Sequence, residues 1–564
     1  MYAQLLHRVR TYFASPVADP VRDAEASRII SESLERLLAS RTGSLYLGAP
    51  TALDFDAAQS ARIRDAPAAM DEVLDDLFAR MEGLVHYNHP LSQVGVTPQP
   101  TLPSLVGVLY AAAMNSNLIW DVVSPRVCEA EIAVAAMTAR LVGYGEDAGG
   151  IFTFGGTGTV LYGMKIGLEK ALPGTMTTGV RGPARMICSS AGHYSKINVS
   201  GWLGIGTSNL DVIPARDDQS MDVEAFAEVL ERQLRDGIPV AGIIASVGTT
   251  DAFAIDDLDR IVEVRDALVR KYDAPYHPHI HADSVIGWAW SAFLTYDFDA
   301  NPLGFSSETC RVLRRITEGL RAMHRVDSIG CDFNKTGYAP NTSSLFLCRD
   351  RRDLSRLTRD EETAPYLFHS GSYRPGLFTL EASRSGYAAL SVMANLKLLG
   401  LDGMRAILGH IVSVALDLRA RLDTLAHVDI VNRANEGPSV LYRAYPQGSC
   451  ADCLRDRELE DPSLVELFNR FNRTIGAVLA ARAGEGGPLI SQTECAQHGS
   501  TGEPVVALKS FIISPFAERA ANEIVVRALE GAIATAERHH PELARLTPTS
   551  GCEHRRIREA AARS

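Results

Sequence analysis

The sequence predicts an α/β protein with a mostly parallel sheet, a helical amino-terminal segment and a smaller α+β carboxy-terminal domain. Three observations carry this. From Gly149 to about Arg349, short apolar runs alternate with amphipathic segments. Ala241-Gly-Ile-Ile-Ala-Ser-Val247 reads as a buried strand closed by Gly248, and Leu258, Ile261, Val262 and Leu268 then recur at helical spacing among Asp, Glu and Arg. Arg185 to Ser189, His279 to Ala282 and Ser343 to Cys348 are further strand candidates, and strand–helix–strand repetition is the signature of parallel pairing. Second, residues 1–145 read as helices interrupted by a loop at His86 to Pro103, which carries four prolines and a glycine. Third, beyond Ser385 a helical stretch runs to about Thr424, followed by a strand-like segment, Val505 to Ile513, and a helical one, Ala520 to His539. The expected division is 1–145, 146–385 and 386–548, with a solvated tail at 549–564 containing Arg555, Arg556, Arg558 and Arg563.

Composition narrows the classes of function. The 564 residues exceed what one core usually supports. With 46% hydrophobic and 22% charged residues, the chain is ordinary for a globular protein. Its 56 basic and 68 acidic residues give a net charge of −12, which does not favour nucleic acid. No apolar run approaches the ~20 residues needed to cross a bilayer. Met1 to Tyr12 mixes Gln4, His7, Arg8 and Arg10 with apolar residues, unlike a signal peptide. Nine scattered cysteines fit a reducing, cytoplasmic setting. Cys450 and Cys453 form a CxxC with no second pair nearby, so surface thiols are expected there and no metal.

Four features bear chemistry. Phe154-Gly-Gly-Thr-Gly-Thr159 precedes an apolar helix, and its backbone amides, two hydroxyls and helix amino terminus together make a phosphate cup. Alone, such a turn also serves simple chain reversal; it lacks the P-loop lysine and the dinucleotide spacing. His-Ala-Asp283 ends a strand, where α/β proteins place ligand groups, although an Asp there can equally cap a helix. Asp327-Ser-Ile-Gly-Cys-Asp-Phe-Asn-Lys335-Thr-Gly-Tyr-Ala-Pro340 places a lysine among turn-forming residues just before a strand. A lysine held in a cleft there can form an imine with an aldehyde. His193 lies in a short polar loop after a strand.

The order of cup, histidine, strand-end Asp and lysine resembles the group II pyridoxal-phosphate decarboxylases of fold type I. The resemblance extends to His89-Pro90, Asn115-Ser-Asn-Leu, Ser124-Pro, Glu129-Ala-Glu131, Gly248-Thr-Thr250, Ala254-Ile-Asp256 and Ser383-Arg384-Ser-Gly386, covering roughly residues 80 to 400. It implies a seven-stranded, mostly parallel sheet in the large domain. It also implies a pyridoxal 5′-phosphate cofactor imine-linked to Lys335, with Asp283 at the pyridine nitrogen and His193 on the ring face. Thr157, Gly158 and Thr159 would bind the phosphate, Thr250 would contact the ring, and Asn334 would stand where relatives have a phosphate-contacting His. His89 and Arg384 would belong to the substrate pocket, Arg384 being suited to bidentate pairing with a carboxylate. A homodimer with an interface active site is implied as well.

The leading expectation is decarboxylation of an L-amino acid to the amine. A retro-aldol carbon–carbon lyase is an alternative, because Lys335-Thr-Gly-Tyr-Ala-Pro, Ser343-Ser-Leu and the Ser-Arg-Ser-Gly near 384 also look like the sphingosine-phosphate lyase branch and bacterial tyrosine decarboxylases. An oxygen-using, aldehyde-forming decarboxylase is another, because a site without a loop proton donor would let oxygen react instead. A silent scaffold homologue is the non-enzymatic alternative. In the animal aromatic amino acid decarboxylases of this family a tyrosine of a mobile loop protonates the product carbanion. Tyr373 is the one tyrosine in the corresponding, shorter interval between Tyr366-Leu367 and Arg384, so the resemblance makes it a candidate for that role, a surface loop tyrosine being the alternative. Asn334, unable to carry charge, is expected to weaken phosphate binding.

Overall fold

A computed structural model describes residues 1–360, 362 and 370–546. The tail from Thr549 and the Tyr366-Leu367 end of the loop interval lie outside the described residues. Four helices open the chain, α1 (Tyr2–Arg10), α2 (Pro20–Ala39), α3 (Phe55–Gln59) and α4 (Met70–Ala79), followed by α5 (Leu102–Ala113) and α6 (Pro125–Leu141). The caps follow from the sequence: Asp19, Asp54 and Thr101 each accept a main-chain N–H in the first turn of α2, α3 and α5.

Seven strands form the central sheet: β2 (Gly149–Thr153), β3 (Arg185–Ser189), β4 (Leu210–Ile213), β5 (Val240–Ser246), β6 (His279–Asp283), β7 (Ser328–Asp332) and β8 (Ser344–Cys348). Their order is β2-β8-β7-β6-β5-β3-β4. Pairing is parallel from β7 to β4, while β8 runs antiparallel to both β7 and β2. The sheet is thus the seven-stranded, mostly parallel one expected. Three of its strands escaped the apolar-run criterion. β4 is a half-exposed edge, β2 opens on two glycines, and β7 (Ser-Ile-Gly-Cys-Asp) carries polar residues because one of its faces meets the site described below.

The helix α7 (Gly156–Ala171) lies across the sheet face. A Cβ at Gly163 would stand 2.7 Å from the His281 ring, and one at Gly167 would strike the Ala241 carbonyl. Any larger residue at either position would push α7 off the sheet. This close seat aims the amino end of α7 at the carboxyl ends of the parallel strands, where β2, β6 and β7 also end.

A second sheet, in the order β1-β11-β12-β10-β9, joins β1 (Ser92–Gln93) to β9 (Val428–Ile430), β10 (Ser439–Ala444), β11 (Leu489–His498) and β12 (Pro504–Phe511). Val505 to Phe511 of the strand-like segment lies in β12, and the helix Arg519–His539 covers most of the expected helical one. The long helical stretch Tyr387–Leu422 is apolar and long enough to cross a membrane by length and composition alone. It breaks at Gly400 (φ 56°, ψ −167°) and packs along α5 and α6, so its apolar length serves the core.

Candidate active site

The site is built where the sheet, α7 and the turn after β7 converge. Thr153, Ser344 and Asp332 are direct cross-strand partners at the ends of β2, β8 and β7, and Asp283 lies opposite Gly330. Directly paired residues, and residues two apart on one strand, project from the same face. All four side chains therefore point to the face that α7 covers. The turn Asp332-Phe333-Asn334-Lys335 then returns the lysine over that face, with the Lys335 N–H bonded to the Asp332 carbonyl.

Lys335 and Asp332 form an ion pair with Nζ 2.9 Å from Oδ2, the two side chains being 16% and 5% exposed. Asp283 ends β6 with its Oδ1 buried and without a partner. Burial pushes its carboxyl up to about 6, against the pull of the Lys335 ammonium and with the push of the Asp332 carboxylate. His193 sits in the loop after β3, its Nδ1 accepting the Ser195 N–H at 3.2 Å. Burial and the Lys335 charge hold its imidazole below the ordinary histidine range. His281, of the His-Ala-Asp segment, is buried under α7 with Nδ1 2.8 Å from Ser328 Oγ.

The glycine-rich turn completes the site. Gly155 caps α7 at φ 130°, a conformation that disfavours residues with a Cβ. At Gly156 a Cβ would lie 2.9 Å from Asp332 Oδ2 and 3.0 Å from a Val285 methyl, so the start of α7 touches both the strand-end loop and the lysine's partner. The Gly158 and Thr159 N–H groups bond back to the Gly155 carbonyl, leaving those of Gly156 and Thr157 as the unpaired donors of the first turn. Thr157 is half-buried at that end.

Several sequence expectations are corrected. Thr159 is fully buried; its hydroxyl donates to the Gly156 carbonyl at 2.7 Å and packs on Gly330, so it faces the sheet and not a phosphate. Gly158 supplies clearance against the Thr153 hydroxyl, its N–H already being spent on Gly155. Arg384 is a strut. Its guanidinium pairs with Glu131 (2.5 and 3.1 Å) and donates to the Phe152 and Leu118 carbonyls, so it is not free to take a substrate carboxylate. Tyr373 points its hydroxyl at Glu131, 3.5 Å away, and its N–H at Asp121, which removes it as a loop acid. His89 has both ring nitrogens engaged within the amino-terminal segment, by the Gly43 carbonyl and the Leu91 N–H. Asn334 accepts the Ser343 N–H and staples the turn that carries Lys335. Thr250 is half-buried in the turn after β5.

The residue most underread in the sequence is Asp332. Its signal was available: an acid at a strand end three positions before the lysine. The buried Thr153 and Ser344 hydroxyls, also unpartnered, needed the strand register to be found.

An orphaned buried carboxylate, a half-buried lysine within its electrostatic reach and an open helix amino terminus suit a ring cofactor with a basic nitrogen, an aldehyde and a phosphate. Fold and site together define the class, a fold type I pyridoxal-phosphate protein. The comparisons give the family: residues 55–445 match the pyridoxal-dependent decarboxylase conserved domain, and the chain belongs to that family. It is similar to an L-tyrosine decarboxylase of Enterococcus faecium, 26% identical over 249 residues, spanning 41% of this chain but only 40% of that protein. An L-2,4-diaminobutyrate decarboxylase of Acinetobacter baumannii is 23% identical over 418 residues, 71% of this chain and 75% of the relative. In fold the chain is similar to mouse CSAD, with a TM-score of 0.74, 17% identity and coverage of 91% and 99%.

Proposed function

We propose that this chain decarboxylates an L-amino acid to the corresponding amine and CO₂, using pyridoxal 5′-phosphate attached to Lys335. The observation that carries the reading is the pairing of Lys335 with a buried carboxylate within the electrostatic reach of the orphaned Asp283. When bound, the cofactor supplies an electron sink for the bond broken at the α-carbon. Asp283 would keep a proton on the ring nitrogen, which is also the partner its stranded oxygen lacks. His193, neutral and half-buried, would lie against the ring. The Gly156 and Thr157 amides would take the phosphate. Lys335 would be the amine that takes the aldehyde and the group that moves the proton at the α-carbon. The family and the decarboxylases it resembles support loss of CO₂ over the other bond cleavages.

The working form we infer is a homodimer. Helices α1–α4 bury no residue in this chain. Leu102, Leu105, Leu109 and Tyr110 of α5 are exposed together, an apolar face that a second copy would cover. Cys128, Cys188, Cys310, Cys331, Cys348 and Cys495 are free thiols, which supports a reducing compartment such as the cytoplasm.

Incubation with the common L-amino acids, scored by mass spectrometry, tests the activity. One amine and one CO₂ per turnover are expected; cleavage of a β-hydroxy amino acid without CO₂ would overturn the assignment.

A further inference from the structure

We propose that Asp332 flanks the phosphate site with its own charge, so that loading a phosphorylated ligand between α7 and Lys335 requires uptake of a proton. The inference rests on the function proposed above.

Position is the first argument. The Asp332 carboxylate neutralises Lys335 at 2.9 Å, and its two oxygens would lie 2.9 and 3.2 Å from a Cβ on Gly156, in the first turn of α7. A helix amino terminus is where unpaired amides and the helix dipole stabilise an anion. In this chain an internal carboxylate already stands beside that position. Its Oδ1 is buried without a partner, as are the flanking Thr153 and Ser344 hydroxyls. That is the condition of polar groups arranged for something further.

Charge is the second argument. The groups facing Asp332 can be named from each element around it. Lys335 comes from its own turn, Asp283 from β6, and His193, with its imidazole held toward neutrality, from the loop after β3. The first turn of α7, Gly156 to Thr159, carries no charged side chain, and the next charge along it, Lys165, is bound to Glu169. Asn334 next to the lysine is neutral. One cation thus faces two carboxylates before a phosphate monoester arrives, itself titrating near pH ~6. Placed beside Asp332, a dianion lacks a counter-charge. A proton taken up by either acid restores the balance: the proton comes from solvent, and an O–H bond forms on the carboxylate or the phosphate.

The probe is pyridoxamine 5′-phosphate, which has no aldehyde and so binds without a bond to Lys335. It is titrated calorimetrically into the cofactor-free protein at pH 5.5 to 8.5, in buffers of different ionisation heat, with pyridoxamine as the phosphate-free control. The wild-type protein is expected to take up about one proton per phosphate ligand near pH 8, where such an ester is otherwise a dianion. Asp332→Asn is expected to bind it about tenfold more tightly at pH 8, equivalent to one pKa unit. The gap should close toward pH 5.5, and the control should show neither effect. Wild-type binding without proton uptake overturns the inference and needs no variant; so does Asp332→Asn binding no more tightly than wild type at pH 8. If the wild-type protein binds no pyridoxamine 5′-phosphate and borohydride traps no pyridoxal phosphate on Lys335, the proposed function falls as well. Trapping on Lys335 without proton coupling sinks only the present inference.

Discussion

Two ion pairs in this molecule, one fully buried and one largely so, are built to opposite ends. Arg384 and Glu131 come close to saturating each other: both Glu131 oxygens accept from the guanidinium, which also reaches two main-chain carbonyls, Glu131 accepts the Phe152 N–H as well, and only the Arg384 Nε–H is left over. Lys335 and Asp332 make one contact and leave an oxygen stranded, with a second stranded carboxylate at Asp283. A buried pair whose terminal donors and both acceptor oxygens are matched is a structural rivet, even with the Arg384 Nε–H left over. An unsaturated one holds unmatched polar groups at a cost, which makes sense only if another molecule completes it. The contrast explains why the arginine, which by residue type suits a carboxylate ligand, is structural, while an aspartate that looked incidental stands at the site.

The comparison can be broken in four places. The largest effect is expected from Lys335→Ala, which should lower turnover by at least about 10²–10⁴-fold, the range of an acid–base group, and abolish borohydride trapping. Its melting temperature should fall by less than that of Arg384→Met, because Lys335 makes one contact and is partly exposed; an equal fall would make the lysine pair structural too. Arg384→Met should do the reverse, costing about 3–5 kcal/mol in denaturant unfolding because Glu131 is left buried and charged. If that variant unfolds like wild type but fails to bind substrate, the rivet assignment is wrong.

Asp283 offers a pH signature. Burial raises its carboxyl from an unfolded value of about 3.9 to about 6. The folded cofactor-free protein therefore holds this proton more tightly than the unfolded chain, and the resulting stability is lost as pH rises through about 6. Asp283→Asn should flatten this loss and leave the cofactor-free protein up to about 3 kcal/mol more stable than wild type at pH 7. Urea melts of both proteins at pH 5 and pH 7 read the difference; identical slopes with pH would refute it. The smallest effect belongs to Tyr373→Phe. With its hydroxyl 3.5 Å from Glu131, stability should change by less than about 1 kcal/mol and turnover not at all. A collapse of the amine-to-aldehyde product ratio in that variant would return Tyr373 to the chemistry.

The sequence was most legible where a residue's neighbours along the chain are also its neighbours in space. The strand Val240–Ser246 and the capped helix Leu258–Lys271 could be read from period and punctuation, because each buries a face defined by local spacing. The glycine turn before α7 was legible for the same reason, although which of its amides stay free depends on hydrogen bonds that the sequence does not print. Thr159 was misread because, one turn into a helix, a side chain faces whatever the helix lies on, and the seat of α7 on the sheet is set by Gly163 and Gly167 meeting His281, His279 and Ala241.

By itself, then, the order of residues determined an α/β chain with a strand-end acid and a lysine poised before a strand, since covalent spacing and alternation are local. Which polar groups would be satisfied was decided only in three dimensions. Glu131 and Arg384 are 253 positions apart, and Thr153 meets Ser344 and Asp332 through strand register. A hydrogen bond depends on distance and direction, and both are fixed only when the sheet and α7 are assembled.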